Sequence, residues 1–352
     1  QIMSSAVDGV AMKTGQLAPK SGDLFMGTGS ARLSGSSGNI ALESGNALGG
    51  MSGDIRVRVG TGDSGRGGDI IVSAGDTLAN GLSQAQRAGQ VTLVGGNAVG
   101  TTQRSGGDVE VRSGDGAFSG SVNIATGSSS AFSLEPGMVN ISTSDEMQRN
   151  HQSGLVFFST GDADSNSGSI HLSTGRSLSK KAGAVEIEAG NSASGTGGDV
   201  RIYGGAGAEV SGGSIQMLSG RGTDGSSGEI QIRTREAGMR GVSGSMDLST
   251  GKSTDGNTGN IAISTGDALR GKGGNVTIHV GLSDSGAGGD VTLIGGHTTD
   301  SNVVGGNVHL LSGSAYESSS GEVVIGSANA GRRGVSGSVV LKTGTSSEGN
   351  TG

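Results

Sequence analysis

The stretch GSIHLSTG, from Gly168 to Gly175, is one copy of an eight-residue phrase that recurs about every fifteen residues. Other copies read GSMDLSTG from Gly244, GNIAISTG from Gly259 and GSVVLKTG from Gly337. The phrase consists of a glycine, a small polar residue, an apolar residue, any residue, a second apolar residue, any residue, Ser or Thr, and a closing glycine. Twenty-two copies have their first apolar residue at positions from Val10 to Val339. A period that fills the chain in this way is typical of a repeat array, in which each unit packs only on its neighbours.

Within a phrase, apolar and variable positions alternate. In the copy from Gly244, the residues Met246, Leu248 and Thr250 would share one side, and Asp247 and Ser249 the other. This period of two predicts a short strand with one buried face. The closing glycine predicts a turn, because glycine adopts positive φ at little cost. A small residue usually follows two positions later, which predicts a tight corner.

The fold predicted from this pattern is all-β: a parallel β-solenoid, or β-helix, of about 22 short strands at a period of about 15 residues. Two or three strands per coil are both compatible with the spacing, and antiparallel hairpins are the rival arrangement. Apolar side chains in stacked coils would supply nearly all of the burial. The predicted core ladder comprises Ile170, Leu172, Val185, Ile187, Val200, Ile202, Ile215, Ile230, Ile232, Met246, Leu248, Ile261, Ile263, Val276, Ile278, Val291 and Leu293.

A longer period overlies the first. The string GGDV begins at Gly106, Gly197 and Gly288, and RGVSGS begins at Arg240 and Arg333, so six phrases form a super-repeat of 91 to 93 residues. The chain is predicted to be a single array over residues 1–352 and, since both ends resemble the middle of a unit, a segment of a longer protein. The predicted super-repeats are approximately 10–108, 109–199, 200–290 and an incomplete 291–352.

Composition excludes several classes of protein. Glycine accounts for 74 of 352 residues, apolar residues for only 31% and aromatic residues for 2%, which is too little for a conventional globular core of this size. The net charge is -7 with interspersed signs, so neither a nucleic-acid footprint nor a membrane span is predicted. There is no cysteine, and the five histidines are scattered. We therefore expect no enzyme, no catalytic residue and no cofactor.

Two kinds of modification or ligand site are left open by the sequence. Asn140 and Asn275 begin Asn-x-Ser/Thr sequons and are candidate N-glycosylation acceptors. Structural calcium is an alternative that loop aspartates would serve, although their spacing is irregular. The aspartates concerned are Asp63, Asp69, Asp76, Asp162, Asp164 and Asp267.

Longer spacings early in the chain predict two loops that bulge from the array, at residues 76–88 and 128–138. Inserted residues between units are often tolerated without a function, and lateral contact with neighbouring chains is the alternative.

The phrases SGSIHLSTG, GGDVTLIGG and GNIAISTGDA resemble the Gly/Ser-rich tandem arrays of extracellular surface and filament proteins. The nearer resemblance is to arrays of heterokont algae and oomycetes, including candidate components of flagellar hairs (mastigonemes). A more distant one is to filamentous-haemagglutinin-like adhesins. The resemblance implies an extracellular, non-enzymatic structural protein whose partners are copies of itself, other filament subunits or covalent glycans. An adhesin stalk or glycan-binding surface module is the alternative function.

Overall fold

The structure is a computed structural model that describes residues 12–14, 21–32, 35–63, 65–77, 87–99, 105–128, 137–145 and 152–352. These residues contain no helix and no strand. The prediction of an all-β parallel β-solenoid is therefore wrong. Val10, the first apolar residue of the first phrase, lies outside the described residues, as do most of both predicted bulging loops.

The phrases themselves keep the alternation that the sequence predicts. In several phrases, polar side chains two residues apart lie on the same side and contact each other. Arg112 Nε lies 2.8 Å from Glu110 Oε1, and Gln90 Nε2 donates a hydrogen bond to Thr92 Oγ1 at 3.0 Å. Side chains at i and i+2 share a side only when the backbone is extended. The phrases thus have strand-like conformation locally, but their backbones do not pair, and an extended segment without a paired neighbour is not a strand.

Bends fall between the phrases at a regular interval. From Asp164 onward, successive bends or turns begin 14 to 17 residues apart, as far as the last bend at residues 347–349. The phrases between them run without a bend. The fifteen-residue period in the sequence is therefore also the period of the backbone path.

Backbone hydrogen bonds close many of the connecting loops. The amide of the glycine that opens a phrase donates to the carbonyl of the glycine that closed the preceding phrase. Four of these loops have the same eight-residue separation, with N to O distances of 2.8 to 2.9 Å: Gly198 to Gly190, Gly213 to Gly205, Gly228 to Gly220 and Gly321 to Gly313. Because both partners are glycines, the two ends of the loop meet with no side chain between them. The pairing stops at this one bond and does not extend along the phrases.

Two turns that lie 93 residues apart in the sequence are closed in the same way. The related strings AGMRG and AGRRG form the same tight turn, closed by Gly241 N to Gly238 O at 3.1 Å and by Gly334 N to Gly331 O at 3.3 Å. The chain divides into two units, which we call unit 1 (Gln1–Val185) and unit 2 (Glu186–Gly352). That division lies inside the phrase GAVEIEAG and at none of the predicted super-repeat boundaries.

No described residue of the chain is buried. The accessible surface area is 36936 Å² for a mass of 34.1 kDa. A compact monomer of that mass exposes about 13,000 Å², and a fully unfolded chain about 49,000 Å². The single chain therefore covers only about a third of the surface that folding normally removes from water, and with no described residue buried the hydrophobic free energy of a core is not available to it.

Candidate functional site: the uncovered apolar face

The residues predicted to form a core ladder are exposed in the single chain. Their exposed fractions range from 52% for Ile261 to 75% for Leu172. The full set is Ile170, Leu172, Val185, Ile187, Val200, Ile202, Ile215, Ile230, Ile232, Met246, Leu248, Ile261, Ile263, Val276, Ile278, Val291 and Leu293. We call the side of a phrase that carries its two apolar residues the apolar face. Large apolar patches left open to water mark sites of association.

The first apolar residue of each phrase is the better covered of the two. Val200 is 54% exposed and Ile202 is 66% exposed, and most phrases show the same order. Where the position between them is also apolar, it is usually still more open, as at Ile71 with 85% against 73% for Val72, although Val340 with 64% is less open than Leu341 with 90%. The phrases therefore have a distinct inner and outer side, although neither is covered.

A specific contact joins the end of one phrase to the start of the next. The Ser or Thr before the closing glycine lies against the glycine that opens the following phrase. A Cβ atom added at Gly168 would lie 3.3 Å from Thr160 Cγ2, and one added at Gly274 would lie 3.2 Å from Thr265 Cγ2. A side chain at these two positions would press on the threonine. At Gly183 and Gly259 the added Cβ would lie at ordinary contact distances of 3.5 and 3.7 Å, so close approach requires glycine at some opening positions and not at all of them.

Two of these joints carry an additional hydrogen bond. Thr174 Oγ1 donates to the carbonyl oxygen of Gly183, and Thr28 Oγ1 donates to that of Gly38, each at 3.2 Å. In other units a glycine takes the place of the Ser or Thr, and the backbones approach directly. A Cβ added at Gly204 would lie 2.6 Å from the carbonyl oxygen of Gly213. The doubled glycines in the sequence thus mark the joints where backbone meets backbone.

Serines two residues beyond the closing glycine cap the bends. Ser177 Oγ accepts a hydrogen bond from Lys180 N at 3.1 Å, Ser192 Oγ from Gly195 N at 2.9 Å and Ser346 Oγ from Gly349 N at 2.8 Å. Such side-chain to backbone bonds three residues apart stabilise turns. The sequence predicted a tight corner at this position but not the serine cap.

Positive φ occurs in the middle of the loops and not at the closing glycine. Among the described residues, the glycines with positive φ are Gly49 (77°), Gly65 (78°), Gly256 (120°) and Gly286 (153°). Each lies four or five residues beyond the closing glycine of its phrase. No closing glycine among the described residues has the positive φ that the sequence predicted, and several of them, such as Gly190 and Gly205, instead accept the backbone hydrogen bond that closes the loop.

An open groove of about 510 Å³ separates two successive phrases of unit 1. It is lined by Phe157, Phe158, Ser159 and Thr160 from one phrase and by Ser169, Ile170 and Leu172 from the next. Phe157 and Phe158 are 75% and 66% exposed. In a chain with only 2% aromatic residues, this is an unusual concentration of exposed aromatic surface.

The remaining predicted sites stay separate from one another. Asn140 and Asn275 are both exposed. Across the described residues, no three or more carboxylates and histidines gather into a group that could hold a metal ion. This includes Asp63, Asp69, Asp76, Asp162, Asp164 and Asp267, the aspartates considered for calcium. The search for membrane-spanning helices, made over the same residues, finds none of sufficient length and apolar character.

Comparison with family models, curated proteins and solved structures finds no match to this chain. The function is therefore inferred from the chemistry of the phrase joints, the apolar face and the groove. Sequence reasoning missed the groove, although the signal was present: GLVFFSTG, Gly154 to Gly161, has an apolar residue at two positions where the next phrase has Ser169 and His171.

Proposed function

We propose that this protein is a non-enzymatic structural protein whose tandem phrases associate with other copies to build an extracellular fibre, flagellar hair or surface sheath. The observation that carries the proposal is the regular array of exposed apolar residues at a fifteen-residue interval. Apolar surface is stabilised by removal from water at about 25 cal/mol per Å². A chain that leaves these residues open gains that free energy only by association.

The extracellular setting is part of the proposal. It is supported by the resemblance of the phrases to surface and filament arrays and by the exposure of both sequons, Asn140 and Asn275. Asn275 directly precedes Val276, the first apolar residue of its phrase, and Asn140 lies between Val139 and Ile141. Mass spectrometry of the native protein tests directly for glycans at these positions.

Assembly of the full chain tests the proposed function. We expect sedimentation and electron microscopy to show filaments or sheets above a critical concentration. Replacing Ile261 and Ile263 by serine removes one apolar pair; because a fully buried side chain of this size contributes about 1.5 to 3 kcal/mol, the critical concentration should rise at least about tenfold.

The matched control is Ala262→Ser in the same phrase, which leaves the apolar face intact and should assemble as the unmodified chain does. A full chain that remains monomeric at every accessible concentration contradicts the proposed function. Retention on a glycan array by such a monomer would support a glycan-binding module instead.

A further inference from the structure

One phrase differs from all the others in having two apolar faces. In GLVFFSTG, Val156 is the residue at the first apolar position of the phrase, and Leu155 and Phe157 flank it. In the next phrase, GSIHLSTG, the same positions are Ser169 and His171. Every other phrase has a polar or small residue in at least one of them. Because side chains alternate along an extended backbone, Leu155 and Phe157 lie opposite Val156 and Phe158.

The structure leaves this segment uncovered on both sides. Leu155 is 85% exposed and Phe157 is 75% exposed, while Val156 and Phe158 are 41% and 66% exposed. No backbone hydrogen bond to other described residues involves positions 155–160. The segment thus presents free N–H and C=O groups along its length together with apolar side chains, the combination that favours the addition of another strand.

The absence of charge, together with the two apolar sides, favours a second copy of the same segment as the partner. Residues 155–160, LVFFST, contain no charge, no proline and no glycine. An identical segment can therefore lie beside them in register without like charges meeting. Charged phrases cannot do so: in-register pairing of one of them would place Asp199 beside Asp199 and Arg201 beside Arg201, and like charges directly opposite destabilise a strand pair. Uncharged phrases such as GNIAISTG, from Gly259, have small or polar residues on one side, so in-register pairing covers apolar side chains on both sides only for residues 155–160.

We propose that residues 155–160 dock against the same segment of a second copy of this chain, in parallel register, and that this contact starts assembly. Parallel register places the apolar residues 155–158 over one another and pairs Ser159 and Thr160 with their equivalents. Full antiparallel pairing would instead place Leu155 opposite Thr160. Ile170 and Leu172 form the opposite wall of the groove and supply further apolar surface for the incoming phenylalanines. The inference rests on the proposed function, because it names the partner and the starting point of that association.

An exchange of residues between the two neighbouring phrases tests the inference. The full-length variant Leu155→Ser with Phe157→His gives the phrase from Gly154 the polar side of its neighbour. We expect the lag before filament growth to lengthen at least about tenfold at equal protein concentration, with the final filaments unchanged. The reciprocal variant, Ser169→Leu with His171→Phe, creates a second two-faced segment and should shorten the lag.

A crosslink tests the register independently of kinetics. The chain has no cysteine, so a single introduced cysteine reports only on contact between copies. Leu155→Cys retains a small apolar side chain, and parallel pairing brings the two Cα atoms within the 4.4 to 6.8 Å that a disulfide requires. We expect disulfide-linked dimers of this variant early in assembly. The control Ser169→Cys, in a phrase with a polar side, should form few.

The outcomes separate this inference from the proposed function. Normal lag times in the Leu155→Ser, Phe157→His variant, together with equal crosslinking of the two cysteine variants, would overturn the docking of residues 155–160 while filaments still form. Absence of filaments from the unmodified chain would instead remove the proposed function. Crosslinking of Leu155→Cys above the control in a chain that forms only dimers would support the contact and contradict fibre formation.

Discussion

At the residue scale, glycine has two separate roles. One is conformational, as at Gly49, where a φ of 77° is reached easily only without a Cβ atom. The other is close approach at the joints between phrases. Gly295 is half-buried, and a Cβ added there would lie 2.5 Å from the carbonyl oxygen of Gly306. The adjacent Gly296 has open space around its Cα, so the two glycines of one pair are not equivalent.

Alanine at Gly295 is predicted to open the joint that follows it. The new methyl group would push against Gly306, whose amide donates to Gly296 O at 2.9 Å. Overpacking of this kind costs about 1 to 3 kcal/mol. Because one such hydrogen bond contributes only about 0.5 to 1.5 kcal/mol, hydrogen exchange at the Gly306 amide should accelerate by about two- to tenfold. Gly296→Ala is the control and should leave the exchange rate unchanged; equal rates in both variants would contradict the role of close approach.

At the element scale, the unit of structure is a phrase together with the loop that closes onto the next one. The serine cap holds the bend, and the glycine to glycine bond closes the loop, with the Thr or Ser side chain lying against the opening glycine. Each contact is local and lies at the surface, and a net hydrogen bond contributes only about 0.5 to 1.5 kcal/mol. A single unit is therefore weakly held, in agreement with the marginal stability of short isolated β structures.

The threonine hydroxyl at the joint can be tested separately from its methyl group. Thr174→Val removes the donor to Gly183 O but keeps the shape, so we expect the joint to lose about 0.5 to 1.5 kcal/mol. Amide exchange across residues 176–183 should become several-fold faster. Thr174→Ser retains the hydroxyl and should restore most of the protection.

A second control uses another joint of the same kind. Thr265 lies against Gly274 without a hydroxyl bond to the described residues, so Thr265→Val should change little. A loss of protection in Thr265→Val as large as in Thr174→Val would show that shape, and not the hydrogen bond, determines the effect.

At the scale of the whole molecule, the surface area is the deciding quantity. With 36936 Å² exposed and no buried residue among those described, the single chain lacks the core on which cooperative unfolding depends. We predict that calorimetry of dilute, monomeric protein shows no sharp endotherm. Assembled protein should show one whose midpoint rises with concentration, because association links stability to mass action. A sharp, concentration-independent transition in the monomer would contradict the exposed apolar face.

The net charge should oppose this association. Copies that each carry -7 repel one another, and added salt screens that repulsion. The screening length falls from about 30 Å at 0.01 M ionic strength to about 8 Å at 0.15 M. We expect assembly to begin roughly tenfold faster at the higher ionic strength. The same salt series on Leu155→Ser with Phe157→His is the control, since the charge is retained there while the uncharged docking segment is altered.

The sequence alone indicated several local features of the chain, although it did not place the positive φ of the loop glycines correctly. The fifteen-residue period, the alternation within a phrase and the shared turn at Gly238 and Gly331 all follow from residue patterns, because φ preferences and the direction of alternate side chains are properties of neighbours in the chain. The serine caps and the two-faced segment at Leu155 could also have been predicted from residue patterns, although the sequence prediction did not include them.

Pairing between phrases was not determined by that pattern. The alternation of Val, Ile and Leu determines which side chains share a face. It does not determine the pairing partner, because any extended segment with a matching pattern can cover that face, within the chain or in another copy. A unit of fifteen residues buries too little to hold a neighbouring phrase along its whole length. The tertiary structure therefore decided that neighbouring phrases meet at their glycines and remain unpaired beyond them, which leaves the apolar face for association.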